Sequence, residues 1–375
     1  MTTGHRTAPL IERIDRSRLM GIAAEWDDLV SSSPTGSLFM TWAWIGSWLA
    51  TLGDDADLEV ATARHAVDGR LLGVAPFHVE SGRRLGVRFR SLRLLGSGPA
   101  APDHLDMPVV DGAGPEVAAA LWDTIQRARR WDFVDLDGIA AGGNLARVML
   151  RRRGDADAAE SIPCPYLPLD GGWDQVEQRF GRSHRQNIGR YRRKLAREAG
   201  APVGERLVVS PQDLEITMDR LETMHQSVRL AHGDPGAFAT ARLGEFHREV
   251  ARRMLAAGRL RLWHLDVGDR TIAAIECMRF ADRVSFYTTG FDLDWAAYGP
   301  GRSVMARAIQ GAADEGATEF DFLRGDEEYK RAWGTETRCD LRIRRPVGTR
   351  GRLLWAARSA ASPLRSLRGV RRPPT

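Results

Sequence analysis

Apolar residues recur along the chain with two different periods, and the switches between them mark the expected elements. Residues 9 to 52 carry helical spacing in two segments, broken at Ser31-Ser-Ser-Pro-Thr-Gly36. Trp42, Trp44, Trp48 and Leu49 fall on one packed face of the second. Leu58 to Ala66 and Arg70 to Val79 read as strands joined at Asp68-Gly69, a hairpin signal. A strand over Arg88 to Leu95 follows, then a loop rich in glycine and proline from Gly96 to Asp106. Next come a helix over Glu116 to Arg130, a short strand Phe133-Val-Asp-Leu-Asp137, a helix over Asn144 to Arg153 and an extended piece over Ile162 to Leu169.

The second half repeats this order. Trp173–Phe180 and Arg185–Ala199 read as helical, Arg206 to Val209 as a strand, and Pro211 to Leu230 and Phe238 to Ala257 as amphipathic helices. Leu260–Val267, Thr271–Phe280 and Val284–Phe291 form an expected meander. Then come Tyr298-Gly-Pro-Gly-Arg-Ser303, a helix to about Glu315, a strand Glu319-Phe-Asp-Phe-Leu323 and a helix over Glu327 to Trp333. Phe133–Asp137 and Phe320–Arg324 occupy matching places. The pattern predicts an α/β chain of mixed sheets built by internal duplication.

Composition narrows the class. The 375 residues are 43% hydrophobic and 27% charged, which excludes wholesale disorder, collagen and a membrane bundle. No apolar run approaches ~20 residues, and no secretory leader is expected. Cys164, Cys277 and Cys339 are widely spaced and odd in number, so no disulfide framework or zinc knuckle is expected, and a reducing cytoplasm is the predicted setting. The net charge of +5 hides an asymmetry: ten arginines and no acid lie between Leu341 and Thr375, which leaves the body mildly acidic. That is not the balance of a globally basic nucleic-acid binder.

Gly299-Pro-Gly-Arg-Ser303 lies between an expected strand and an expected helix. Helix starts carry unbonded N–H groups and the positive end of the dipole, and small residues let a pyrophosphate approach them. A preceding antiparallel meander fits a pantetheine-pyrophosphate loop better than a dinucleotide fold. A plain turn into a capped helix is the alternative. Thr289-Gly-Phe-Asp-Leu-Asp-Trp-Ala-Ala-Tyr-Gly-Pro-Gly301 and Phe320-Asp-Phe-Leu-Arg-Gly-Asp-Glu-Glu-Tyr-Lys-Arg-Ala-Trp333 together resemble the GNAT-superfamily acetyltransferases of the cellulose-biosynthesis (CelD/BcsL) type. Asn187–Lys194, Leu221–His225, Gly236–Phe238, Ala273–Glu276 and Asp103–Asp106 extend the resemblance over about 330 residues. That family is similar in turn to the Fem-type aminoacyltransferases, which have two GNAT-like domains.

The resemblance implies tandem GNAT-like domains: residues 1–160 on the acceptor side, 161–346 with the donor site, and a basic tail over 347–375. It implies an acyl-CoA donor, most simply acetyl-CoA, with its pyrophosphate near Gly299, Gly301, Arg302 and Ser303. Ser303 departs from the small residue usual there. Lys330, in Tyr329-Lys-Arg-Ala-Trp-Gly334, resembles the Fem-type lysine that stabilises developing charge. Glu276, in an apolar strand, is either a general base of raised pKa or the partner of Arg279 or Arg283. Tyr298 is the expected acid for the departing thiol, and Asp321 an expected catalytic or acceptor-holding carboxylate. Asp103, His104, Asp106, His225, Arg324 and Asp326 are expected to bind the acceptor in the cleft between halves. No metal is expected.

The seven cations between Arg182 and Arg197 suit RNA, anionic lipid or a solvated face. The arginine tail, with Arg352–Arg358 and Leu364–Arg368 as amphipathic pieces, suits either an anionic membrane surface at the inner face of the envelope or a disordered, solubilising tail. The expected reaction is acyl transfer to an amine of a sugar or amino acid, in envelope or exopolysaccharide biosynthesis. The rival readings are a Fem-like transferase using charged tRNA and a non-catalytic membrane-associated scaffold.

Overall fold

A computed structural model describes residues 8–84, 86–113, 115–151 and 159–360. The first half runs β1 (Leu10–Ile14), α1 (Arg16–Gly21), α2 (Ala23–Ser32), α3 (Trp42–Ala50), β2 (Asp57–Arg64), β3 (Leu71–Arg84), β4 (Val87–Leu94), α4 (Pro115–Ala128), β5 (Phe133–Ala140) and α5 (Asn144–Met149). The second runs β6 (Ala159–Pro168), α6 (Trp173–Arg179), α7 (Arg182–Glu198), β7 (Val203–Leu207), α8 (Pro211–Ala231), α9 (Ala241–Ala256), β8 (Leu260–Val267), β9 (Arg270–Phe280), β10 (Arg283–Phe291), α10 (Pro300–Asp314), β11 (Glu319–Asp321), α11 (Glu328–Arg331), β12 (Glu336–Pro346) and α12 (Gly348–Ala360).

All twelve strands form one sheet in the order β1-β2-β3-β4-β5-β12-β6-β11-β10-β9-β8-β7. The expected duplication is visible in the pairing. In each half four strands pair antiparallel, and the fourth then pairs parallel with the strand that follows one long helix: β4 with β5 across α4, β10 with β11 across α10. The strands that come next are exchanged. β6, which follows β5 in sequence, pairs with β11, while β12, which follows β11, pairs with β5. β6 and β12 also pair with each other from Glu336↔Tyr166 to Ile343↔Ala159. The halves are therefore joined by a continuous hydrogen-bonded ladder.

Two cores flank the sheet. One spans both halves, packing Trp26, Trp44 and Phe77 of the first with Phe246, Met254 and Met278 of the second. Trp44 and Phe246 meet edge to face at 5.0 Å, so helix α3 is seated on α9. The other lies under α6, α7 and α10 and holds Ile309, Phe320 and Trp333.

Four sequence expectations change. Residues 10–14 form strand β1, paired with Ala61–Arg64 and Val60 of β2, where helix was expected; only Ile14 is buried, as suits an edge strand. Strand β12 was not expected at all. β11 stops at Asp321 and α11 shrinks to one turn, because Leu323 and Gly325 take positive φ and turn the chain between them. The Arg352–Arg358 piece lies in α12, while Leu364–Arg368 falls outside the described residues. None of the described helices is long and apolar enough to cross a membrane.

Candidate functional site

β10 and β11 pair for three residues only, from Arg283↔Glu319 to Ser285↔Asp321. Phe322 N–H then turns to Pro165 O of β6 at 2.9 Å. From Phe286 to Phe291, β10 keeps β9 on one side and has no strand on the other. A bulge between Phe286 and Thr288 leaves Tyr287 out of register at the point where the strands part. Where this open edge ends, Gly299 (φ +58) caps α10 and Pro300 supplies its fixed φ in the first turn. A Cβ built on Gly301 would press on the Phe291 ring at 3.2 Å, so the last residue of β10 packs closely against the first turn of α10.

The basic helix α7 packs against this loop. A Cβ on Gly299 would meet the Tyr191 ring at 2.9 Å. Arg302 and Arg190 lie over the Tyr191 ring at 5.5 and 5.2 Å, and the Lys194 ammonium is 4.6 Å from the Tyr298 ring. Three cations thus border a helix start whose dipole already favours an anion. Tyr298 packs beside Trp295, with 5.4 Å between ring centroids, just before this helix start. The Ser303 hydroxyl is buried and has no partner among the described residues.

A buried ion network lies at the seam between halves. His104 sits in a left-handed conformation (φ +55) on the loop between β4 and α4. Its Nδ1–H donates to Asp340 Oδ1 on β12 at 2.9 Å, and its Nε2–H to Asp321 Oδ2 at the end of β11 at 2.8 Å. Its backbone N–H also donates to Asp340 Oδ2 at 2.6 Å. Burial alone would push this imidazole down; the two carboxylates overcome it and raise its pKa to about 10, so His104 is cationic. Burial would raise Asp321, and its bonds to His104 hold it below the usual range instead. Beside it, Asp103 accepts from Arg324 N–H at 2.8 Å and Nε at 2.6 Å; burial still raises Asp103 to about 6. Cys164 lies within 4.8 Å of the ligand atoms of His104 and Asp340, but both ring nitrogens of His104 are taken by carboxylates.

Glu276 on β9 faces Thr288 of β10 and Leu262 of β8. Arg279 bonds Glu315 and Arg283 bonds Glu319, so neither is its partner. Both Glu276 oxygens are buried without a hydrogen bond among the described residues, and desolvation raises the acid to about 8. Tyr287, nearby on the bulge, is itself raised by burial, and its hydroxyl donates to Ala100 O of the first half at 3.0 Å. His247 packs 5.3 Å from the Tyr287 ring; its Nε2–H donates to Ala237 O at 3.1 Å, which leaves Nδ1 bare and unpartnered.

Other expected site residues are occupied elsewhere. Lys330 is buried, and its ammonium donates to Arg324 O at 2.7 Å, Gly325 O at 3.3 Å and Leu323 O at 3.4 Å, with Glu327 Oε2 at 2.9 Å. Those acceptors take its three N–H groups, so the ammonium holds the turn after β11 and is not aimed into the groove. Asp106 accepts from Asn144 N–H (2.8 Å), Leu145 N–H (2.6 Å) and Thr35 Oγ1 (2.5 Å), and so caps α5. His225 accepts from Ala237 N–H at Nε2 (3.2 Å), which places its proton on Nδ1, 2.9 Å from Thr289 O and 3.1 Å from Thr288 Oγ1. That imidazole ties α8 to β10. Asp326 is exposed and pairs with Arg331 at 2.5 Å. The structure brings together Asp103, His104, Asp321 and Arg324 at the seam, and Tyr298, Gly299, Gly301, Arg302 and Ser303 at the groove. Tyr191, Tyr287, His247 and Asp340 were not singled out from sequence.

Residues 182–331 match the family described as Acetyltransferase (GNAT) domain. No curated protein matches the chain in sequence. Among solved structures, FemX superposes with a TM-score of 0.61 at 13% identity, over 93% of this chain and 99% of that one. L-PGS from Bacillus licheniformis gives 0.51 at 10% identity, over 92% and 97%. The C-terminal DUF2156 domain of a protein described as a lysylphosphatidylglycerol synthetase from Agrobacterium fabrum gives 0.51 at 12% identity, over 94% and 99%. The fold is a mixed α/β arrangement of GNAT-like domains on one large sheet, and its GNAT match contains the open β10 edge, the Gly299–Ser303 loop, α7 and Glu276.

Two pH dependences follow. The raised pKa of His104 contributes stability that is complete below pH 6.5 and is lost as pH rises toward 10. Removing the cation leaves Asp321 and Asp340 buried without it, so His104→Gln lowers unfolding free energy by about 3–5 kcal/mol at neutral pH. Denaturant unfolding across pH 6 to 10 checks this: the difference between parent and variant must shrink with pH. Glu276, raised from 4.5 to about 8, lowers native stability progressively between those values, by roughly 3 kcal/mol at pH 7. Glu276→Gln must abolish that slope between pH 4.5 and 8.

Proposed function

We propose that this chain transfers an acyl group from acyl-CoA to an amine on a sugar or amino-acid acceptor. Acetyl is the simplest donor group, and acceptors of the kind met in envelope or exopolysaccharide biosynthesis suit the CelD/BcsL-like motifs. The observation that carries the reading is the open β10 edge ending at the Gly299–Ser303 helix start. Backbone from Phe286 to Phe291 offers N–H and C=O groups to an amide-bearing arm. The first turn of α10, with Arg302, Arg190 and Lys194, suits a pyrophosphate.

Acyl-CoA supplies an activated thioester. The chain's own groups do the rest: Glu276 takes the proton from the attacking amine, and Tyr298 hands one to the departing sulfur. A base with a pKa of about 8 is matched to a reaction near neutrality. Lys330 and the His104 network act as positioning groups, because they fix the turn after β11 and hence the width of the gap between β10 and β11.

A second reading has its own support. The seven cations of α7 and the likeness in fold to FemX favour an aminoacyl group delivered on tRNA. Both readings use the same groove and differ in the donor.

Calorimetric titration separates them. Acetyl-CoA is expected to bind at micromolar concentration, and Arg302→Gln and Gly301→Trp to weaken it at least tenfold. Turnover is expected to rise with pH to a plateau above 8 and to fall at least a hundredfold in Glu276→Gln with binding unchanged. A folded protein that ignores acetyl-CoA but binds aminoacyl-tRNA would move the assignment to the second reading.

A further inference from the structure

On the first half, away from the donor groove, a groove of about 800 Å³ opens between α4, the end of β12 and α12. Its floor is apolar: Trp122, Trp131 and Val134 are buried there. Its lining carries five arginines against two aspartates, net +3. Arg350 takes up Asp132, donating to both carboxylate oxygens at 2.5 Å. Arg345 lies 6.0 Å from the Trp122 ring. Arg129, Arg151 and Arg352 are exposed, and none has a carboxylate within 4 Å among the described residues.

Elsewhere the pairing varies: Arg127, Arg147, Arg182 and Arg193 are also exposed with no carboxylate within 4 Å among the described residues, but they line neither this groove nor its neighbour. Arg64, Arg90, Arg130, Arg206, Arg248 and Arg252 each have a carboxylate in contact, although they too are at the surface. Three unpaired guanidiniums around one concavity repel one another, and an anion with several oxygens relieves that repulsion. The planar fork of arginine suits phosphate oxygens, and three forks suit a group with more than one charge. A second concavity, of about 470 Å³, adjoins the first through Arg350 and adds Arg83 and Arg88 from the β3–β4 hairpin. The cationic field therefore extends beyond a single pocket.

We propose that the groove between α4, β12 and α12 binds a phosphate-bearing group. The group is either the headgroup of an anionic lipid or a soluble diphosphate. In both cases Arg129, Arg151 and Arg352 contact the oxygens while Trp122 and Trp131 line the floor. This site is separate from the donor groove and does not depend on the acyl-CoA reading.

The test uses the full-length chain and two probes: inorganic pyrophosphate by calorimetry, and flotation with vesicles of phosphatidylglycerol or of phosphatidylcholine alone. Three variants are compared with the parent: R129Q/R151Q/R352Q in the groove, R302Q at the donor loop, and R365Q/R368Q/R371Q in the tail. The groove variant is expected to weaken pyrophosphate or phosphatidylglycerol binding at least tenfold with an unchanged unfolding midpoint, both alone and in an R302Q background that removes any pyrophosphate taken up at the donor loop; the tail variant is expected to change that binding less than threefold. Loss in the vesicle arm alone names a lipid headgroup, and loss in the pyrophosphate arm alone names a soluble ligand. The proposal is overturned if the parent binds neither probe, if the groove variant binds as the parent does, or if only R302Q or the tail variant loses binding.

Discussion

A cationic imidazole held between two carboxylates closes the joint on which this fold depends. Strands β6 and β12 each leave the half that precedes them in sequence and complete the other. The exchange brings Asp340 on β12 and Asp321 at the end of β11 to the same loop of the first half. The three buried groups depend on one another, because removing the cation leaves Asp340 without its charged partner and Asp321 with Arg338 at 3.3 Å and the Leu323 N–H at 2.8 Å. The cost is offset by what the network fixes. It sets where β11 ends, and that end decides where β10 loses its neighbour.

The groove follows from that constraint. Parallel pairing lasts three residues, the turn over Leu323–Gly325 is held by the Lys330 ammonium, and the remainder of β10 has no strand on that side among the described residues, while Thr289 O is taken by His225. Unpaired edges are normally protected against other strands. Here the edge leads to a glycine-capped helix start bordered by Tyr191, Arg302 and Lys194, where the proposed function places an extended ligand with an anionic end. Glu276 adds a second departure from stability. A carboxyl with no partner among the described residues makes the native state less stable at neutral pH, and the proposed function gives that group its use as a base.

Much of this was legible in the sequence. The order of elements, the duplication and the Gly299–Ser303 loop came from periodicity, turn residues and motif spacing, and the alternation around Glu276 placed it with Ala274 and Met278 on one face. β12 was not legible, because its strand alternation, Thr337, Cys339, Leu341 and Ile343, is interleaved with Arg338, Arg342 and Arg344, and it buries only Asp340 and Ile343. Those arginines are answered by acids from distant segments, Arg338 by Glu319 and Arg344 by Asp135. β1 was misread because a five-residue edge strand buries too little to show its period. The seam was half visible: Asp103, His104, Asp321 and Arg324 stood out singly, but only strand exchange brings them together with Asp340. Lys330 resembled a catalytic ammonium by motif, and the carbonyls of Leu323, Arg324 and Gly325 that surround it lie too close in sequence for spacing to reveal the turn they make.

A crystal structure of the protein soaked with desulfo-CoA tests the central claim most directly. The account predicts the pantetheine arm hydrogen-bonded along Phe286–Phe291, with its pyrophosphate at the N–H groups of Gly301 and Arg302 and the terminal methyl that stands in place of the thiol directed toward the Tyr287 bulge. Density for the ligand at any other place, with the β10 edge bare, would contradict it.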